Sequence, residues 1–414
     1  MIVAGLDIGN GYVKGLVKNM ETDQKAVQVD MPSASSVITN SNDVRITDAT
    51  NIQRVVDDIF NEVECSIESP LIGNSKTHTY IGKRAVKAGK SIQEFNLCDS
   101  RHSKSENELS CRLILSILAA KAFRDFYNDN KKLPEDPISV DVNLALALPI
   151  AEFKARRDTV INEYKSGTHQ ITIHNFEKDV VVKLNILKVQ VAPEGASAHL
   201  AIVSKGPAFM NKLIEDMESR GLKMPAGIVS ADIVSAGGIV GIDIGEGTVN
   251  YPIYNDFEFN PDISTTLNKG YGVVLDEAAI NLAREGRPEG ASRKVLSEFL
   301  ELNKNKPMKR AQYESAMKKV APEVDIFVEE IISHFVSVLD RAGAFIEVVY
   351  VYGGGATPVK EVLYPRLIKA IQNCFGEEAF VPVLYLDSSY SRYLNRDGLF
   401  LIGARDDKSI EKLD

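Results

Sequence analysis

Gly5-Leu6-Asp7-Ile8-Gly9-Asn10-Gly11 recurs as Gly241-Ile242-Asp243-Ile244-Gly245-Glu246-Gly247. Each copy follows an apolar run that reads as a strand and leads into another. These are residues 2–8 and Tyr12–Val17 in the first half, and Ile239 to Tyr254 in the second. Asn-Gly between apolar runs is a strong hairpin signal. Glycine lets the backbone of such a turn approach an anion closely, and successive N–H groups then form a nest for phosphate oxygens. The Asp before each turn sits at a strand end and faces the same space. It suits the water shell of Mg²⁺, an ion that keeps several of its waters. One copy alone reads equally well as a tight hairpin, since short glycine motifs match by accident. Two copies with the same Asp, joined by a third turn at Gly353-Gly354-Gly355, favour a phosphate site.

Lys14 follows the first turn and can reach phosphate oxygens as a point charge, with a solvated strand lysine as the alternative. The third turn follows the apolar strand Val348–Tyr352, where glycine would let a base or ribose lie against the backbone. Ala88-Gly89-Lys90-Ser91 is a rival phosphate motif, but Arg84 stands where a P-loop needs glycine, and it is set aside.

Further out, Ser105-Glu106-Asn107-Glu108 reads as a capping box opening a helix with Leu109, Leu113, Ile117 and Ala120. Val140–Leu148 reads as a strand, Ala151–Tyr164 as a helix, and Gln170–Phe176 with Val180–Val191 as a hairpin. A short helix is expected from Pro193 to Val203, and others at 211–220, 272–285, 322–343 and 396–404. Ile326, Ile331, Phe335, Val338 and Leu339 mark the apolar face of the 322–343 helix.

The chain has 414 residues, 44% of them hydrophobic and 25% charged, which is enough for two or three packed domains. A net charge of −9 argues against broad direct contact with nucleic acid. No signal peptide and no membrane-spanning run is read, so a cytoplasmic protein with no membrane partner is expected. Cys65, Cys98, Cys111 and Cys374 lack metal-ligand spacing and read as free thiols. His169 and His174 fall on opposite faces of one strand, which excludes a paired metal site there.

In order, these motifs resemble those of the actin, Hsp70 and sugar-kinase superfamily. Asp7–Lys14 looks like its first phosphate motif, Asp243–Thr248 like the second, and Gly353–Gly355 like the adenosine motif. Pro193-Glu194-Gly195-Ala196-Ser197-Ala198 and Asn395–Gly403 are similar to its two connecting helices. The nearest likeness is to ParM (StbA), the plasmid-segregation actins. Leu148-Pro149-Ile150-Ala151-Glu152-Phe153 and Ser388-Ser389-Tyr390 carry it locally. Two departures stand out: Glu246 in place of ParM's glycine, and an insertion within 206–238.

The resemblance implies an α/β, actin-like (duplicated RNase H-like) two-domain fold with a nucleotide cleft between the halves. Residues 1–203, completed by 386–414, would form domain I, and 204–385 domain II. It implies that Asp7 and Asp243 hold Mg²⁺ through water and that Glu194, with Asp243, serves catalysis. Gly9, Asn10, Gly11, Tyr12, Lys14, Gly245, Glu246, Gly247, Thr248, Gly353, Gly354 and Gly355 would line the nucleotide, ATP or GTP. The implied function is an ATPase that polymerises into filaments and moves plasmid DNA through an adaptor protein. The alternative is a non-filamentous kinase or regulatory ATPase of the same superfamily.

Overall fold

The run Ile2–Ile8 forms a strand buried along its whole length, as the apolar stretch Ile2–Leu6 suits a sheet covered on both faces. The computed structural model describes all residues except 39–44, 74–76, 90, 96–103, 257, 387 and 406–414. It divides into two compact units, Met1–Ala201 with Asn395–Asp414, and Ile202–Leu394.

In the first unit the strands are β1 (Ile2–Ile8), β2 (Tyr12–Asn19), β3 (Val27–Pro32), β4 (Ala34–Val37), β5 (Glu64–Glu68), β6 (Thr79–Ile81), β7 (Ile92–Glu94), β8 (Ile138–Leu148), β9 (His169–Ile173) and β10 (Val180–Pro193). They form one sheet in the order β3-β2-β1-β8-β10-β9-β5-β6-β4-β7. The β3–β2 and β2–β1 pairs are antiparallel, while β1–β8 and β8–β10 are parallel.

The second unit holds β11 (Ile239–Ile244), β12 (Val249–Tyr251), β13 (Ile253–Asn255), β14 (Glu258–Phe259), β15 (Thr265–Leu267), β16 (Val348–Tyr352) and β17 (Val383–Tyr385). Both β12 and β13 pair antiparallel with β11, and Pro252, which has no N–H to donate, divides them. The path β15-β12-β11-β16-β17 runs antiparallel, antiparallel, parallel, parallel, the same succession as β3-β2-β1-β8-β10. The repeated turn of the sequence is thus the local sign of a repeated sheet.

Each sheet has its own core. In the first unit the helix Glu108–Asn130 is buried from Leu109 through Phe123, so it shows no single apolar stripe. Within it Lys121 is fully buried, and Asp23 at 2.7 Å and Asp125 neutralise its charge. In the second unit Phe327, Val328, Ile331, Phe335, Val338 and Leu339 of the helix Arg310–Ala342 join the core with β11 and β16.

Several local expectations are corrected. The helix expected from Pro322 begins at Arg310 and carries Pro322 inside it, since the buried Ala316, Val320, Val324 and Phe327 on either side outweigh one lost hydrogen bond. Ile326 is 53% exposed and not on the buried face. Asn107, not Ser105, caps the helix Glu108–Asn130: its side chain accepts from the Leu109 N–H at 3.0 Å. Ser105 lies in the preceding short turn, Lys104–Glu106. Gly89 takes φ +68 at the C-terminal end of the helix Lys83–Ala88, where a P-loop would begin one; Lys90 lies outside the described residues. The 206–238 segment contains the helices Pro207–Ser219 and Ser230–Val234.

The helix Ala356–Phe375 is not read from sequence, because Gly353–Gly355, Pro358 and Pro365 all signal a break. Among the described residues no helix is long and apolar enough to cross a membrane. Cys65 and Cys111 are buried thiols and Cys374 an exposed one, while Cys98 lies outside the described residues. His169 bonds Ser69 and the Tyr164 carbonyl, and His174 bonds Ser66 and Asp179.

Candidate functional site

The first turn closes on itself. Gly9 N–H donates to the Tyr12 carbonyl at 3.1 Å. A Cβ on Gly9 would lie 2.6 Å from that oxygen, so glycine is required by close approach. Ser33 then grips the turn from one side: its N–H donates to the Gly11 carbonyl at 2.9 Å and its Oγ to the Gly9 carbonyl at 2.6 Å. Asp7 sits near the end of β1, only 8% exposed, opposite Lys14 in the β1–β2 ladder. Lys14 Nζ is 4.0 Å from Asp7 Oδ2. Tyr12 is the outermost residue of the turn, 43% exposed.

The second turn repeats the closure. Gly245 N–H donates to the Thr248 carbonyl at 2.9 Å. Asp243, 6% exposed, stands opposite Asn250 in the β11–β12 ladder, the register position that Lys14 holds in the first unit. Here the turn's carbonyls are held by a helix start: Tyr271 and Gly272, at the head of Tyr271–Arg284, donate to Gly245 at 3.0 Å and Glu246 at 2.8 Å. The Glu246 carboxylate, the departure from ParM, is offset by Arg293, with Nε 3.0 Å from Oε1. Arg293 also pairs with Asp276 at 2.8 Å. Gly247 is buried beside it.

The third turn is built onto the second. Gly355 N–H donates to the Ile244 carbonyl at 2.8 Å, and Ser391 Oγ donates to the Gly353 carbonyl at 2.9 Å. Gly353 has φ +97, and a Cβ there would lie 2.5 Å from Asp243 Oδ1. Gly354 opens onto free space. Thus Asp243, Gly245–Thr248 and Gly353–Gly355 form one cluster of the second unit.

Glu194 follows β10 directly, its N–H bonded to the Leu148 carbonyl at 2.6 Å, and it is 8% exposed. Its Oε1 accepts from Lys104 Nζ at 2.6 Å. Burial pulls the Lys104 ammonium toward the neutral form, but Glu194, then Asp7 and Glu152, outweigh it and raise its pKa. Lys104 therefore ties Glu194 electrostatically to Asp7 inside the first unit. Sequence reading misses Lys104: it lies 90 residues from its partner, and no motif marks it. It misses Arg293 as well, which no motif marks.

Comparison with known proteins follows the same division. A family model for the N-terminal domain of actin-like proteins matches residues 5–196, and one for the C-terminal domain of archaeal MreB-like actin homologues matches 241–364. No curated protein matches by sequence. Among solved structures, the archaeal actin homolog Ta0583 is similar at 15% identity and TM-score 0.61, covering 98% of this chain and 100% of that one. Bacillus thuringiensis ParM with ADP is similar at 15% identity and TM-score 0.61, covering 100% and 99%. ParM from pSK41 in the apo state is similar at 17% identity and TM-score 0.54, covering 99% and 98%. These likenesses establish the fold. With two family models of actin-like proteins matching in tandem, over residues 5–196 and 241–364, the chain belongs to the actin-like superfamily.

Proposed function

We propose that the chain binds a nucleoside triphosphate, ATP or GTP, through its paired turns and hydrolyses it. The observation that carries this is the equivalence of Asp7 and Asp243, each a buried carboxylate ending a central strand before the same glycine turn with the same N–H closure. Among the described residues no cluster of three or more His, Cys, Asp or Glu is arranged to grip a metal. By the resemblance to the actin-like superfamily, Asp7 and Asp243 would hold Mg²⁺ through its own waters, which that ion keeps. When bound, it would neutralise charge on the phosphates.

Lys14 and the N–H groups of Asn10, Gly11, Glu246 and Gly247 would hold the phosphates, and Gly353–Gly355 the adenosine or guanosine. Glu194 would orient the attacking water. That water's oxygen bonds to the terminal phosphorus as the bond to the bridging oxygen breaks, with the electron pair staying on the diphosphate. One proton stays with the released phosphate and the other passes to solvent. Such chemistry is mostly positioning and charge stabilisation.

Bacillus thuringiensis ParM has been solved with AMPPNP, ADP and ATP, which supports a triphosphate cycle for this chain. By the same likeness, nucleotide-bound chains assemble into filaments, hydrolysis releases them, and an adaptor protein links the filament to plasmid DNA. Sedimentation with Mg²⁺ and ATP, GTP or a non-hydrolysable analogue tests this. Pelleting should require triphosphate, and Glu194→Ala should keep binding while slowing hydrolysis and prolonging the pelleted state. A monomer under every nucleotide condition would favour the non-filamentous kinase or regulatory ATPase.

A further inference from the structure

Glu152 belongs to the Leu148–Phe153 stretch, which the phosphate turns leave without a role. It stands in the first turn of the helix Ile150–Lys165. Its Oε1 accepts from the Lys104 backbone N–H at 2.8 Å, and its Oε2 from that of Ser105 at 2.9 Å. A carboxylate clasping two successive N–H groups makes a strong, directional hold. The Lys104 carbonyl is held as well, by Ser110 Oγ at 2.8 Å. One helical turn beyond Glu152, Arg156 pairs with Glu106 of the same short turn. The backbone of Lys104 is therefore pinned on both sides while its ammonium reaches Glu194 Oε1 at 2.6 Å. A lysine stem has several free torsions, and pinning its root reduces the entropy lost in aiming the head. The bond also restrains the Glu194 carboxylate through Oε1.

We propose that Glu152, acting through Lys104, positions the Glu194 carboxylate for its work on the attacking water. This rests on the role of Glu194 given above. Glu152 and Lys104 are positioning residues, since each acts through its neighbour. The resting geometry is set by two carboxylates and one cation drawn from three places in the chain.

The test is steady-state hydrolysis of Mg-ATP by the full chain and its Glu152→Ala, Glu152→Gln, Lys104→Ala, Lys104→Arg and Glu194→Ala variants, with the doubles. Glu152→Ala and Lys104→Ala should lower kcat roughly 10- to 100-fold with KM nearly unchanged, as expected of a misaligned group. Lys104→Arg should recover much of the loss. Glu152→Gln, which keeps one acceptor oxygen, should fall between wild type and Glu152→Ala. Glu152→Ala combined with Glu194→Ala should be no slower than Glu194→Ala alone, because residues acting as a unit are not additive. A loss of folding would instead multiply in both backgrounds and lower the melting temperature of Glu152→Ala. Multiplicative losses, or wild-type kcat in Glu152→Ala and Lys104→Ala beside a slow Glu194→Ala, would overturn the inference. Wild-type turnover in Glu194→Ala would overturn the reading of Glu194 itself, and this inference with it.

Discussion

Lys14 faces Asp7 across the β1–β2 ladder with its ammonium 4.0 Å from the carboxylate, and the equivalent partner of Asp243 in the second sheet is the uncharged Asn250. The duplicated turn is thus asymmetric in charge: at this register position the first half has a cation and the second an amide. Lys14→Ala should weaken Mg-nucleotide binding roughly tenfold, about 1.4 kcal/mol, with little change in melting temperature. Asn250→Ala should leave that affinity far less affected. Equal losses in the two variants, read by equilibrium titration, would remove Lys14 as a phosphate ligand.

Two adjacent glycines should respond oppositely. Gly353 takes φ +97 against Asp243 and Ile244, whereas a methyl group added at Gly354 would meet nothing within 4 Å. Gly353→Ala should destabilise the second unit by roughly 2–4 kcal/mol, from backbone strain and overpacking combined. Gly354→Ala should stay within about 0.5 kcal/mol. Urea denaturation of both variants decides it, and an unaffected Gly353→Ala would mean the third turn is looser than described.

The turns are legible in sequence because their chemistry is local: an Asp, two glycines and flanking apolar strands lie within a few residues. The sheet duplication follows, since Ile239–Ile244 repeats the buried, Asp-bearing strand Ile2–Ile8. What escapes is whatever depends on long-range approach. Lys104 acquires meaning only when the short turn before one helix is drawn to the end of β10. Pro322 reads as a helix start and Pro365 as a break, yet packing on both sides carries the helices through them. Ser105 matches a capping pattern, but the neighbouring Asn107 takes the cap.

Acid should loosen the first unit. Burial holds the His199 imidazole neutral, with its pKa pushed down to about 4. The unfolded chain, with histidine near its usual ~6.5, binds more protons between these values, so stability is full above that window and falls as pH drops through it. The urea midpoint should therefore drop between pH 7 and pH 5. His199→Gln should flatten that drop in part, because His169 and His174 are shifted the same way by burial. An unchanged pH slope in the variant would show that His199 is not held neutral in the folded chain.

The most direct test of the paired turns is the binding stoichiometry of Mg-ATP by calorimetric titration, for the wild type and for Asp7→Ala and Asp243→Ala. One nucleotide per chain, with Mg²⁺-dependent affinity lost in both variants, is the predicted result, since each half would supply one carboxylate to a single site. Two nucleotides per chain, or a Mg²⁺ dependence that survives in either variant, would contradict it.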